Sequence, residues 1–261
     1  MCGRLQVCGP VKFLIDLNAD VGEGCGDDAA LMTLISSANI ACGVHAGDAA
    51  TMRAAVLLAR DAGVAIGAHP SFPDREHFGR REMHLSADDV HRCIVAQIDA
   101  LAGVAAAAGV QLHHVKPHGA LYNMAARDQQ LAEAVAAAVY SVDPSLLLFG
   151  LAGSLLTKAA SQRGLRAVNE AFADRAYRPD ARLMPRDQPG SVLHDEQVVA
   201  TRAVAIARDR GVTAVDGTWL QLDADTICLH GDTPGAALLA GRILQALAAA
   251  GIRVAAPQSP R

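Results

Sequence analysis

One pattern constrains this chain more than any other. Short apolar runs stop, again and again, in a burst of polar and ionisable residues. In "LHHVKPHGALYN" (112–123), Leu112 and Val115 suit a core, whereas Lys116, His118, Tyr122 and Asn123 do not. "FLIDLNADVGEG" ends in Asn18, Asp20 and Glu23, "ANIACGVHAGD" in His45 and Asp48, and "VAIGAHPSFPD" in His69 and Asp74. "RAVNEAFADRAY" ends in Glu170, Asp174, Arg175 and Tyr177, and "DTICLHGD" in His230 and Asp232. Between these runs lie stretches with one apolar face, such as "TMRAAVLLARDAG" and "DEQVVATRAVAIARDRG", as amphipathic helices require. Glycines at 63, 109, 164 and 211 sit where such helices close, because glycine takes the left-handed conformation at little cost. Asp48, and Ser86 with Asp89, mark helix starts.

Alternating strands and helices imply a parallel α/β architecture. Short apolar runs fit strands buried on both faces of a parallel sheet. In such a sheet the C-terminal strand ends all point one way. A closed barrel gathers them at one mouth, where its catalytic loops lie. An open doubly wound sheet would gather them along one edge. The chain has 261 residues, enough for one large domain. Residues 1–12 read as a short extension and 13–261 as a single domain.

Composition removes several classes of function. With 51% hydrophobic and 19% charged residues, a sizeable core is expected. A formal net charge of −4, with no Lys/Arg run, offers nothing to nucleic acid or an anionic membrane surface. No apolar run approaches the roughly 18 residues of a spanning helix. The six cysteines form no CxxC pair, which fits reduced thiols in a cytoplasmic protein. GxSxG, GxxxxGK[ST] and HExxH are absent, and no GxGxxG follows the first strand.

The strand-end residues themselves suit acid–base chemistry. A lone histidine is usually structural, but His45, His69, His118 and His230 recur at corresponding positions. With Asp20 and Glu23 they could perform general acid–base hydrolysis or hold a divalent metal that activates water. Lys116 must pair with a carboxylate or bind an anionic substrate group. His84, His91 and His194 fall on helix-like or loop stretches and read as surface residues.

The blocks "DLNADVGEG", "SANIACGVHAGD", "GAHPSFPD", "FGRREM", "VKPHGALYN", "NEAFADRAY" and "TICLHGD", in that order, resemble the signature of the LamB/YcsF family, the A subunits of 5-oxoprolinase. The resemblance runs from about Phe13 almost to the C-terminus. It implies an irregular parallel (β/α) barrel related to glycoside hydrolase and deacetylase barrels. It also implies hydrolysis of the 5-oxoproline lactam to L-glutamate, with ATP as co-substrate and subunits B and C as partners. On this view Asp20, Glu23, His45, His69 and His118 transfer protons or activate water. Asn18, Lys116, Tyr122, Asn123, Glu170, Arg175 and His230 would contact the small-molecule lactam. Two other readings are a stand-alone metal-dependent amidohydrolase or deacetylase and a non-catalytic lactam-binding subunit. The chain departs from the family in two loops. It has "PDREHFGRR" where a glycine usually precedes FGRR, and "YRPDARLMPR" where Asp-Gly-x-Leu is usual.

Overall fold

A computed structural model describes residues 13–230 and 235–258. The N-terminal extension expected over 1–12 lies outside the described residues, as does Asp232. In chain order the elements are β1 (Phe13–Val21), α1 (Asp28–Met32), β2 (Ser37–Ala41), α2 (Ala49–Ala62), β3 (Ala65–His69) and α3 (Ala87–Ala107). Next come β4 (His114–Val115), α4 (Gly119–Ala125), α5 (Gln129–Val142), β5 (Leu147–Leu151), α6 (Leu155–Arg163) and β6 (Ala167–Phe172). The chain ends with α7 (Glu196–Asp209), β7 (Gly211–Thr213), β8 (Trp219–Gln221), β9 (Thr226–His230), α8 (Ala236–Ala249) and β10 (Ile252–Val254).

The sheet runs β10-β1-β2-β3-β4-β5-β6-β9, and β9 pairs back onto β1. Seven parallel strands therefore close a barrel, while β10 extends it beside the first residues of β1. The helix boundaries follow the capping chemistry. Asp48 accepts from the backbone of Ala50 and Thr51 in a full capping box, and Gly63 closes α2 at φ 68°. Ser86 caps α3 through the Asp89 amide, and Gly164 closes α6 at φ 89°.

Gly211 behaves differently from the expectation. Arg210, not Gly211, takes the left-handed cap of α7. The following run is no barrel strand: β7 pairs antiparallel with β8 in a separate two-stranded sheet. Gly211 lacks a side chain because the Trp219 ring occupies that space, 2.4 Å from where a Cβ would stand. Helix α3 also departs from expectation, being long and apolar enough by composition to cross a membrane. It packs on the outside of the barrel against α5.

The barrel strands are not uniformly apolar. Along β1, Ile15, Leu17, Ala19 and Val21 join the main hydrophobic cluster shared with the helices. Asp16, Asn18 and Asp20 alternate with them and are equally buried. Successive strand residues face opposite sides, so the polar set points into the barrel. There Asp20 pairs in register with Asn39, Asn39 with Gly67, and Gly67 with His114. A Cβ on Gly67 would lie 2.1 Å from His114 Nε2. The glycine makes room for that ring, which stacks on Phe149 at 4.2 Å. Apolar packing thus lies between barrel and helices, and a hydrogen-bonded polar column fills the inside.

Candidate active site

The column begins at Asp16, which accepts from Ser36 Oγ (2.5 Å), Ser37 Oγ (2.8 Å) and Thr226 Oγ1 (2.6 Å). Burial raises its carboxyl to about 6. One layer up, Asn18 Nδ2 donates to Thr226 Oγ1 (2.7 Å) and Glu170 Oε1 (2.9 Å). Asn39 Nδ2 donates to Asn18 Oδ1 (2.7 Å) and Asp20 Oδ1 (2.9 Å). Its own Oδ1 lies 2.9 Å from His114 Nε2.

Lys116 ties this layer to the cavity above. Its Nζ lies 2.9 Å from Asp20 Oδ1, 3.0 Å from Glu170 Oε1, 3.2 Å from Asn18 Oδ1 and 2.9 Å from Cys228 Sγ. Burial pulls the ammonium pKa down, but the charges around it, Asp20 first, hold it well above the usual lysine range. Burial keeps the Cys228 thiol well above its usual range too, so neutral sulfur accepts from Lys116. An ion pair this deep needs further hydrogen bonds to its oxygens, and here Asn18 donates to Glu170 Oε1 and Asn39 to Asp20 Oδ1.

Above Lys116 the ends of β1, β2, β3 and β4 bring Asp20, Glu23, His45, His69 and His118 together, all buried. His69 Nδ1 lies 2.7 Å from Lys116 O, and His118 Nε2 lies 2.9 Å from Phe78 O. The facing nitrogens, His69 Nε2 and His118 Nδ1, are 2.9 Å apart. Asp20 Oδ2 stands 3.4 Å from His69 Nε2, and Glu23 Oε1 stands 3.6 Å from His118 Nδ1 and 3.5 Å from His45 Nε2. The His45 ring lies flat on His118, with centroids 4.0 Å apart and planes 6° apart, and among the described residues neither nitrogen of His45 makes a hydrogen bond. Burial, then the neighbouring His69, pushes His45 down to about 3. Burial also drives His118 well below the usual imidazole range.

Asp20, Glu23, Lys116, His69 and His118 line a cavity of about 860 Å³, together with Tyr122, Asn123 and Arg175. Burial, then the charge of Glu170, holds the Tyr122 phenol well above its usual range. Asn123 is exposed and donates to Gly119 O (3.0 Å). Arg175 donates to Met184 O (2.6 Å) and Ser191 O (3.3 Å), so it also pins the loop that forms one wall. Asn18 and Glu170 are fully buried beneath the cavity and contact Lys116. His45 stands behind His118 as its stacking partner. His230 ends β9, paired with Asp20 in the sheet; its side chain lies outside the described residues. His84 and His194 are exposed and His91 half-buried.

Sequence reasoning missed several participants. Phe78 takes φ 56°, an uncommon conformation for a bulky residue. Its carbonyl anchors His118, and its ring meets His45 and His118 edge-on. The signal was the "FGRR" block, where Gly79 at φ 65° turns the chain so tightly that a Cβ would lie 3.0 Å from the His118 ring. Asn39, His114 and Cys228 were also missed, since each sits inside an otherwise apolar run.

The LamB/YcsF family model matches residues 15–261. The chain belongs to the LamB/YcsF family. A lactam utilization protein from Thermus thermophilus is 45% identical, with a TM-score of 0.88, over 93% of this chain and 99% of that one. The catalytic domain of a peptidoglycan N-acetylglucosamine deacetylase from Eubacterium rectale has a TM-score of 0.51 at 11% identity, over 96% of this chain and 91% of that one. The second likeness is one of fold alone, and it agrees with the closed (β/α) barrel. Among the described residues, Glu23, His45, His69 and His118 each offer an atom that could hold a metal ion, the four lying within 4.8 Å of one another.

Proposed function

We propose that this chain is the ring-opening subunit of an ATP-dependent 5-oxoprolinase and hydrolyses the 5-oxoproline lactam to L-glutamate with partner subunits B and C. One observation carries the reading. Two carboxylates, two imidazoles and a lysine meet at the floor of one cavity, around which Arg80, Lys158, Arg178, Arg182 and Arg186 outnumber Glu82, Asp180 and Asp187. The floor suits proton transfer, and the surrounding cations suit an anionic substrate bearing a carboxylate or phosphoryl group. Membership of the family and the 45% identity to a protein titled for lactam utilization support the substrate class.

A five-membered lactam is a poor electrophile, and phosphorylating its amide oxygen makes it a good one. Asp20 or Glu23 takes a proton from the attacking water as the new C–O bond forms. The ring C–N bond of the tetrahedral adduct breaks as the His69–His118 pair gives a proton to nitrogen, and a second water then displaces phosphate from the resulting acyl phosphate to leave the carboxylate. Lys116 Nζ, 2.9 Å from Asp20 Oδ1, orients that carboxyl group. A cavity of about 860 Å³ is near the upper end for small-molecule sites, so a lactam leaves room for the activating group. The sequence has no GxxxxGK[ST] loop, and partner subunits would supply the missing phosphoryl-transfer machinery. The cytoplasmic placement belongs to the same reading, supported by free thiols at Cys25, Cys42, Cys93 and Cys228.

The test is His118→Ala. The variant keeps its fold by circular dichroism and loses about 10²–10⁴-fold in glutamate formation by the complex. Turnover close to wild type removes His118 from the chemistry. The cluster of metal-capable side chains favours a second reading, a stand-alone metal-dependent amidohydrolase. That reading requires lactam hydrolysis by this chain without ATP.

A further inference from the structure

We infer that His69, His118, Asp20 and Glu23 together hold one divalent transition-metal ion of the zinc class, at the cavity floor. The placement follows first from the anchors of the two rings. A carbonyl oxygen only accepts, so His69 Nδ1, 2.7 Å from Lys116 O, carries the hydrogen. The same holds for His118 Nε2 at Phe78 O. In neutral rings the lone pairs then sit on His69 Nε2 and His118 Nδ1. These two nitrogens face each other at 2.9 Å, and two lone pairs head-on repel unless a cation lies against both.

The carboxylates complete a polyhedron. A tetrahedral ion with bonds of about 2.0–2.1 Å sets its ligand atoms about 3.3–3.4 Å apart. The edge from His69 Nε2 to Asp20 Oδ2 is 3.4 Å, and that from His118 Nδ1 to Glu23 Oε1 is 3.6 Å. Of these three edges only the nitrogen–nitrogen one must open, by a few tenths of an ångström. Asp20 is already turned for the task. Its Oδ1 is held by Lys116 Nζ and Asn39 Nδ2, both at 2.9 Å, which aims Oδ2 at His69. Ligands fixed from behind in this way are the usual partner shell of a metal site. Two imidazoles with two carboxylates suit zinc, cobalt or iron better than magnesium or calcium, which take oxygen ligands.

His45 is excluded from the set by its orientation, although its nitrogens lie nearby. Imidazole lone pairs lie in the ring plane. Stacked 4.0 Å over His118 with planes 6° apart, His45 directs its lone pairs alongside those of His118 and not into the same point. It walls the site. Bound there, the ion would supply a water of lowered pKa only by expanding to a fifth ligand. The inference concerns the same side chains as the lactam reading and is tested apart from it, because metal binding is measured without substrate. With the ion bound, these four side chains are ligands, and water activation passes from the free carboxylates to the metal site.

The experiment uses the full chain, purified in chelator and exchanged into metal-free buffer. Co²⁺ is titrated and followed by visible absorption, and Zn²⁺ by calorimetry, with metal content by mass spectrometry. The expected result is one ion per chain, with the intense visible bands of low-coordinate Co²⁺ that Zn²⁺ abolishes. His69→Ala and His118→Ala weaken binding by at least about 100-fold, and Asn39→Ala, which frees Asp20, by about 10-fold. His45→Ala keeps one ion per chain. Circular dichroism on each variant separates lost binding from lost fold. Absence of binding by the folded wild-type chain overturns the proposal and assigns a shared proton to the His69–His118 contact. Binding that survives His118→Ala, or that His45→Ala abolishes in a folded protein, overturns the ligand set. Failure of lactam turnover by the mixture reconstituted from a metal-binding chain, its partner subunits and ATP would overturn the functional reading alone.

Discussion

Replacing Lys116 by Met tests the polar column directly. Methionine keeps much of the length of the side chain and removes its charge. Asp20 and Glu170, 2.9 and 3.0 Å from Nζ, then lose their shared cation while remaining buried. Removing one partner of a buried pair costs about 3–5 kcal/mol, a large part of the roughly 5–15 kcal/mol that holds a domain folded. At about 2–4 °C per kcal/mol for a chain near this size, the melting temperature falls by about 6–20 °C. A second substitution, Glu170→Gln, removes one orphaned charge. The double variant Lys116→Met/Glu170→Gln should therefore recover about 1–3 kcal/mol relative to the sum of the two single changes. Urea denaturation of the four proteins completes the cycle. A loss below about 1 kcal/mol for Lys116→Met, or additive single effects, would refute the idea that Lys116 neutralises these carboxylates.

Two further outcomes follow from backbone strain and from buried titrating groups. Ala181 takes φ 63° where the family usually carries glycine, and a left-handed L-residue costs about 1–2 kcal/mol. Ala181→Gly should therefore raise stability by about 0.5–1 kcal/mol, after the entropy that glycine adds to the unfolded chain, and a lower melting temperature would contradict this. For the metal-free chain in chelator, His45, His114 and His118 have folded pKa values below 6.5, through burial first. Their stabilising effect is present above pH 6.5 and is lost as pH falls and the unfolded state takes up protons. Asp16 works in the opposite sense. Burial raises it to about 6, so it regains stability as pH falls from 6 towards 3.8. Three imidazoles outweigh one carboxyl, so the unfolded state binds more protons and stability falls as pH drops below 6.5. Denaturation midpoints that stay flat from about pH 6.5 to about 4.5 would refute the burial of these rings as neutral groups.

The strand-end residues were legible because a barrel converts repetition along the chain into convergence in space. Asp20, Glu23, His69 and His118 each close one apolar run and meet at one mouth. The polar column beneath them was not legible as such. "FLIDLNADV" alternates from Ile15 onward, with Asp16, Asn18 and Asp20 inside the barrel. An apolar strand with polar residues at its end and an alternating strand with a polar inner face give similar short strings. Only the closure of β9 onto β1 decides between them. That closure pairs residues far apart in the chain, such as Asp16 with Thr226, which local pattern cannot foresee. The two-residue β4 was likewise readable from its ending, not from its length. "DRGVTAV" misled for a local reason: β-branched residues after a helix suit an outer hairpin as well as a barrel strand.

The central claim, coupled ring opening at this barrel mouth, is tested most directly by measuring glutamate and phosphate together. The purified chain is assayed with 5-oxoproline and ATP, alone and after addition of its partner subunits. We predict negligible release of either product by the chain alone, and release of both in a fixed ratio by the mixture, abolished by His118→Ala in this chain. ATP-dependent glutamate release by the isolated chain, or a reconstituted mixture indifferent to His118→Ala, would contradict it.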